Sequence, residues 1–92
     1  MKLFFTHSFV RDYQGLPKHL QKTADKKLEL FLKNPRHPSL KIKKMQDPRE
    51  IWEGRLTQGY RFTFQMEGEV CLLRRLGTHD ILKTTQSPIL TG

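Results

Sequence analysis

The stretch IWEGRLTQGYRFTFQMEGEVCLLRRL, residues 51–76, decides the fold of this chain. It holds three runs rich in large apolar residues, separated at Gln58-Gly59 and at Glu67-Gly68. Short breaks that contain glycine are typical of hairpin turns, so the stretch predicts a three-stranded antiparallel meander. Alternation divides the middle strand into an apolar face (Tyr60, Phe62, Phe64 and Met66) and a polar face (Arg61, Thr63 and Gln65). We expect the apolar face to pack on the core and the polar face to be free for function.

Two strands and two helices are predicted before this meander. Residues 3–6 and residues 40–45 read as strands, and the range from Ser8 to Gly15 reads as a short helix with Ser8 as its N-cap. Residues 17–33 predict a longer helix whose apolar side chains share one face: Leu20, Ala24, Leu28, Phe31 and Leu32. The expected fold class is α+β, with two N-terminal helices packed on a twisted antiparallel sheet of four to five strands.

Length, charge and cysteine content limit what the chain can be. Its 92 residues allow one domain, residues 1–92, with a loosely ordered tail expected at residues 84–92. A net charge of +8 favours a polyanion or an acidic protein as partner. The single Cys71 excludes an internal disulfide and a thiolate zinc site, and its apolar neighbours predict a core position. Because neither a signal peptide nor a membrane-spanning stretch is visible, we expect a cytoplasmic protein with no membrane partner.

Two groups of basic residues could bind such a partner. The first group falls within a segment that has no acidic residue: Lys33, Arg36, Lys41, Lys43 and Lys44. These side chains would attract a phosphate backbone, but lysines also protect a solvated edge strand from aggregation, and the sequence leaves both alternatives open. The second group consists of arginines that can brace a phosphate: Arg55, Arg61, Arg74 and Arg75. Their structural alternative is cross-strand pairing with the glutamates at positions 50, 53, 67 and 69, and Arg61 is the best functional candidate because its face lies away from the aromatic one.

The four histidines, at positions 7, 19, 37 and 79, have spacings that match no metal-binding pair, so we expect no metal and no cofactor. His79 differs from the others because it follows Gly77-Thr78 at the end of the last predicted strand. An imidazole titrates near neutral pH and can move protons in phosphodiester cleavage. A histidine beside Asp80 at a strand end can equally form a local hydrogen-bonded turn.

Four motifs occur in one order along the chain: residues 34–40 (NPRHPSL), 51–56 (IWEGRL), 59–64 (GYRFTF) and 77–80 (GTHD). Together with the helix before them, they resemble the RelE/ParE superfamily of bacterial toxins from toxin–antitoxin systems, over residues 3–83. The resemblance implies a compact α+β fold of the kind predicted above. It also implies a cognate antitoxin that neutralises the basic face and connects the toxin to operator DNA.

RelE-like members of this superfamily cut mRNA in the ribosomal A site without a metal ion, by attack of the ribose 2′-hydroxyl on the adjacent phosphate. The resemblance therefore implies a ribosome-dependent mRNA endoribonuclease that inhibits translation, with the ribosome and mRNA as partners. Arg61 matches the phosphate-stabilising arginine, Arg55 takes the place of a second basic residue, and His79 falls where relatives carry a charge stabiliser or general acid. RNA binding would then fall to four lysines: Lys41, Lys43, Lys44 and Lys83.

Two departures from the family pattern keep other functions open. Glu53 stands where the strongest nucleases have a lysine, and Lys83 stands where many relatives have an aromatic residue. One alternative is a ParE-like, non-catalytic inhibitor of DNA gyrase. The other is a degenerate member that only binds its antitoxin.

Overall fold

The computed structural model describes residues 1–81, so Lys83 and the predicted tail lie outside the described residues. Two helices and five strands follow one another within this part. In order they are β1 (Lys2–Phe5), α1 (His7–Gln14), α2 (Lys18–Lys33), β2 (Lys43–Lys44), β3 (Trp52–Arg55), β4 (Tyr60–Glu67) and β5 (Val70–Thr78). The predicted α+β class is confirmed. Neither helix within residues 1–81 is long and apolar enough to cross a membrane.

The five strands form one sheet in the order β1-β5-β4-β3-β2. The strands β2 to β5 pair antiparallel, as the meander predicts, but β1 runs parallel to β5 with Leu3 opposite Cys71. The expectation of a wholly antiparallel sheet is therefore wrong at this edge. Both helices and three strands separate β1 from β5 along the chain, so no hairpin forces the two strands to run in opposite directions.

The N-terminus of α1 is capped by Thr6 rather than by Ser8, the predicted cap. The Thr6 hydroxyl oxygen accepts a hydrogen bond from the Phe9 N–H at 3.2 Å, which satisfies one of the free donors of the first turn. The same hydroxyl donates to the Leu73 carbonyl oxygen at 2.7 Å. One side chain therefore both starts α1 and fastens it to β5.

The strand predicted at residues 40–45 is only two residues long in the structure. Pro38–Leu40 forms a 3₁₀ turn, and Lys41 after it has a left-handed backbone with φ of 44°. A residue in this conformation cannot continue an extended strand, so β2 begins only at Lys43.

The core lies between α2 and the apolar face of the sheet. The ring centroid of Phe31 on α2 is 5.4 Å from that of Phe62 and 4.9 Å from that of Phe64 on β4. Two residues that were expected on these apolar faces, Leu32 and Met66, are instead 45% and 43% exposed. Leu32 follows Phe31 by about 100° around the helix and so turns away from the sheet. Met66 lies near the outer end of β4.

A β-bulge in β5 lies at two adjacent arginines, Arg74 and Arg75, and gives them different partners. The register of β4 against β5 shifts at Arg74, which is the extra residue. Arg74 Nη1 donates to Gln65 Oε1 at 2.8 Å, and Arg75 Nε donates to Asp12 Oδ2 on α1 at 2.7 Å. The alternative that these two arginines pair with glutamates is therefore wrong, and the Arg75 contact instead ties α1 to the sheet.

Candidate functional site

A pocket of about 220 Å³ lies where the segment before β2, the strands β3 and β4, and the end of β5 meet. It gathers five of the predicted site residues: Lys41, Lys43, Arg55, Arg61 and His79. Glu53 also lines it, and we call this cavity the basic pocket. The structure thus brings together side chains from four separate segments of the chain, while their catalytic and binding roles stay predictions.

The strand register explains why these side chains meet. Arg55 on β3 lies directly opposite Arg61 on β4, and Arg61 lies opposite Gly77 on β5. His79 follows Gly77 by two residues and stands just past the end of β5. Glycine adds no side chain beside Arg61, so the imidazole can share the cavity with both guanidinium groups.

Glu53 is the buried member of the basic pocket. Its side chain is only 8% exposed, and its Oε2 lies 3.3 Å from Lys43 Nζ. Its Oε1 lies 3.9 Å from Arg61 Nε and accepts no hydrogen bond from any described residue. Nearly all buried polar atoms have a hydrogen-bond partner, so the open carboxylate acceptor inside a cationic cavity makes Glu53 a candidate functional residue.

From the sequence, Glu53 is expected only as an ion-pair partner of an arginine or as the loss of a positive charge, and its ion pair with Arg61 agrees with the first expectation. Its open acceptor oxygen was not predicted. The signal was present in the sequence. Side chains alternate along a strand, so Glu53 and Arg55, two residues apart on β3, must share one face.

The turn between β3 and β4 holds Arg61 in place. Its Nη1 donates to the carbonyl oxygens of Gln58 at 3.1 Å and Thr57 at 3.5 Å, and its side chain is 16% exposed. Arg55 forms no ion pair within residues 1–81, and its buried Nε has no hydrogen-bond partner there. Like charges that face each other across two strands repel, so an anion between these guanidinium groups would be attracted.

The four lysines predicted to bind RNA do not all reach the basic pocket. Lys41 and Lys43 line it, whereas Lys44 does not, and Lys44 Nζ instead lies 3.9 Å from Glu50 Oε1. Alternation along β2 turns Lys44 away from the side that Lys43 occupies. Lys83 lies outside the described residues, and RNA binding by the whole set stays a prediction.

Cys71 is fully buried on β5, as its apolar neighbours predict. Burial raises the pKa of its thiol to about 12, so the sulfur is a neutral thiol near pH 7 and is no nucleophile. Among residues 1–81, no group of three His, Cys, Asp or Glu side chains is placed to hold a metal ion.

An apolar groove of about 700 Å³ lies between β1 and the two helices. Its walls include Leu3, Phe5, Val10, Tyr13, Leu28 and Leu32. Phe5 and Val10 are 45% and 39% exposed, so large apolar side chains face solvent along this groove. The groove adjoins β1, which ends the sheet order and leaves one strand edge unpaired within the described residues.

The chain shares its fold with solved toxin structures. No protein-family model and no curated protein matches it. YafQ from Escherichia coli strain BL21(DE3) is similar at 14% identity and a TM-score of 0.73, over 88% of this chain and 96% of that one. A YoeB/ParE toxin from Agrobacterium tumefaciens is similar at 20% identity and 0.69, over 86% and 99%. RelE in the archaeal RelE–RelB complex from Pyrococcus horikoshii OT3 is similar at 16% identity and 0.69, over 84% and 92%. The resemblance to the RelE/ParE superfamily is therefore confirmed at the level of the fold.

Proposed function

We propose that this chain is the toxin of a toxin–antitoxin pair and that it cuts mRNA on the ribosome at the basic pocket. One observation carries the proposal: the open carboxylate oxygen of Glu53 shares a small cavity with two guanidinium groups and an imidazole. The carboxylate can accept a proton, the two guanidinium groups can stabilise charge on a phosphate, and the imidazole can donate a proton. The shared fold with YafQ, YoeB and RelE structures supports the same conclusion.

The cleavage proceeds by attack of a ribose 2′-oxygen on the adjacent phosphorus. Glu53 accepts the proton of the 2′-hydroxyl, and Arg55 and Arg61 stabilise the charge that develops on the phosphate. The bond between phosphorus and the 5′-oxygen then breaks, and His79 gives its proton to that leaving oxygen. The products are a 2′,3′-cyclic phosphate and a free 5′-hydroxyl. The chain's own side chains supply each proton transfer in this sequence.

An antitoxin is the proposed protein partner. RelE was crystallised with RelB and YafQ with DinJ, and these complexes support a similar assembly here. We expect the antitoxin to be acidic where it crosses the region from Lys41 to Arg61, because the described lining of the basic pocket there has four Lys and Arg side chains against the single carboxylate of Glu53. The apolar groove supplies a second, mainly apolar surface that an antitoxin could cover.

The salt dependence of association tests the proposed attraction between an acidic antitoxin segment and the basic pocket. Opposite charges steer two proteins together, so the association rate with the antitoxin should fall steeply as ionic strength rises. Stopped-flow mixing at several salt concentrations measures the rate. An association rate that salt leaves unchanged would contradict an acidic segment over the basic pocket.

The nuclease activity is tested by producing the full chain in cells without its antitoxin and mapping mRNA ends after a brief induction. Wild-type chain should arrest growth and cut translated mRNA at specific codons. His79→Ala should remove both effects, whereas His19→Ala, which removes an exposed histidine on α2, should remove neither. Undiminished cutting by His79→Ala would exclude His79 from the mechanism.

The same experiment separates the alternatives. DNA breaks that depend on gyrase, together with intact mRNA, would show that the chain inhibits gyrase and is not a nuclease. Harmless production of the wild-type chain would identify a degenerate member that only binds its antitoxin.

A further inference from the structure

A third cavity, of about 360 Å³, adjoins the basic pocket. Its walls are Pro35, Arg36, His37, Pro38, Lys41 and Ile42, and we call it the proline cleft. Lys41 lines both cavities, so a ligand that extends out of the basic pocket past Lys41 enters the cleft. The cleft volume falls within the range of roughly 300–1,000 Å³ that is usual for small-molecule sites.

The backbone of the cleft is held in a defined shape. The Arg36 N–H donates to Asn34 Oδ1 at 3.3 Å, and the His37 N–H donates to the Asn34 carbonyl oxygen at 3.0 Å. Lys41 keeps a left-handed backbone, with φ of 44°, although it is not a glycine. Such a conformation persists only where the surrounding structure enforces it, and it is enriched at ligand-binding positions.

The imidazole of His37 is also fixed. Its Nδ1 accepts a hydrogen bond from the Ser39 N–H at 3.1 Å and lies 2.9 Å from Ser39 Oγ, which accepts from Lys27 Nζ at 3.1 Å. Since Nδ1 is an acceptor, the neutral ring carries its proton on Nε2. That nitrogen has no hydrogen-bond partner within residues 1–81, so it is free to contact a ligand.

The cleft also holds two cations that no carboxylate neutralises. Arg36 is exposed, and neither Arg36 nor Lys41 forms an ion pair in the part of the chain that the structure describes. A guanidinium plane and an imidazole plane are the surfaces on which proteins stack unpaired RNA bases, and a lysine beside them can bind the connecting phosphate.

We propose that the proline cleft binds the nucleotide just beyond the scissile dinucleotide, with its base on Arg36 and His37 and its phosphate on Lys41. This inference rests on the proposed function, because it extends the RNA path out of the basic pocket. In this arrangement a dinucleotide places its scissile phosphate at the basic pocket without passing Lys41, whereas a longer single strand crosses Lys41 and reaches the cleft. The cleft therefore contributes to affinity for RNA without taking part in the bond cleavage.

The test measures how much affinity the full chain gains when its RNA ligand is lengthened from two to four nucleotides. The oligonucleotides carry a 2′-deoxyribose at the scissile position so that they cannot be cut, and fluorescence anisotropy at one fixed salt concentration gives the dissociation constants. Wild-type chain should bind the tetranucleotide roughly 5- to 150-fold more tightly than the dinucleotide, the range expected for stacking one more base in the cleft.

Arg36→Ala and His37→Asn should each remove most of this gain and leave dinucleotide affinity unchanged. Asparagine keeps a side-chain acceptor for the Ser39 N–H, so His37→Asn removes the ring without removing the cap of the 3₁₀ turn. The matched control is Lys22→Ala, which removes an exposed cation from α2.

A wild-type chain that gains nothing from the longer ligand, or cleft variants that gain as much as wild type, would overturn the proposal. Equal weakening of both ligands by Arg36→Ala would also overturn it, since a general charge effect is not a subsite. Loss of the gain in these variants, together with uncut mRNA in cells, would support the cleft while rejecting the proposed nuclease.

Discussion

Replacing Glu53 with glutamine should change the cleavage rate and the RNA affinity in opposite directions, so this substitution separates the chemical step from RNA binding. Glutamine has nearly the same shape but cannot accept the proton of a 2′-hydroxyl, and the substitution removes the one negative charge that residues 1–81 contribute to the lining of the basic pocket. If Glu53 is the general base, the cleavage rate should fall by about 10²- to 10⁴-fold. RNA affinity should rise at the same time, because the pocket no longer repels a phosphate.

The size of that rise follows from the cavity. A volume of 220 Å³ corresponds to a sphere of about 4 Å radius, so a phosphate at its centre lies about 5 Å from the Glu53 carboxylate. Two unit charges at that distance repel by about 0.8 kcal/mol in water and by about 3 kcal/mol at an effective dielectric constant near 20. Because the pocket opens to solvent, we take the lower value, which corresponds to a gain of about fourfold in affinity.

Two assays measure these opposite changes in Glu53→Gln. Single-turnover cleavage of mRNA on purified ribosomes gives the rate, and anisotropy with the uncleavable dinucleotide gives the affinity. Glu29→Gln is the matched control, since Glu29 is an exposed residue of α2 outside the basic pocket whose one ion pair within residues 1–81 is with Lys33 Nζ at 3.9 Å. A Glu53→Gln chain that cleaves within threefold of the wild-type rate would refute the role of this carboxylate.

Three further substitutions test the scaffold around the site by urea unfolding. Asp12→Ala should lower the free energy of unfolding by about 2 kcal/mol, because the partly buried carboxylate accepts from Arg75 Nε at 2.7 Å. Gly54→Ala should lower it by about 1–3 kcal/mol, since the added methyl would lie 2.4 Å from the Phe62 ring beneath the pocket. Arg55→Met should raise it by about 1 kcal/mol while stopping cleavage, because it removes a buried guanidinium nitrogen without a partner. A destabilised Arg55→Met chain would contradict the unpaired state of that side chain.

Local patterns in the sequence were sufficient for most of the fold. The meander, the buried face of α2 and the burial of Cys71 follow from alternation, helical spacing and short glycine turns, all of which act within about ten residues. The parallel pairing of β1 with β5 could not be predicted in this way. It joins Leu3 to Cys71, and no neighbouring residue encodes a contact between positions so far apart.

The sequence also predicted part of the candidate site. Alternation nominated Arg55 and Arg61, and the family resemblance added His79; the structure places all three in one cavity. The bulge at Arg74 and the left-handed backbone at Lys41 were not predictable, because each depends on packing from distant parts of the chain. The proline cleft depends on that left-handed residue, so His37 looked like an ordinary loop histidine in the sequence.

The arrangement of charge in the basic pocket favours function over stability. Arg55 and Arg61 face each other across two strands, where like charges repel, and Arg55 has no compensating carboxylate within residues 1–81. Glu53 lies 3.9 Å from Arg61 and relieves part of this repulsion, yet one of its oxygens still lacks a donor. An RNA phosphate would pair with the free guanidinium, and a ribose hydroxyl would donate to the free carboxylate oxygen. Arg55 Nε and Glu53 Oε1, two of the three unsatisfied buried side-chain atoms within residues 1–81, are thus complementary to the phosphate and the hydroxyl that take part in the proposed cleavage.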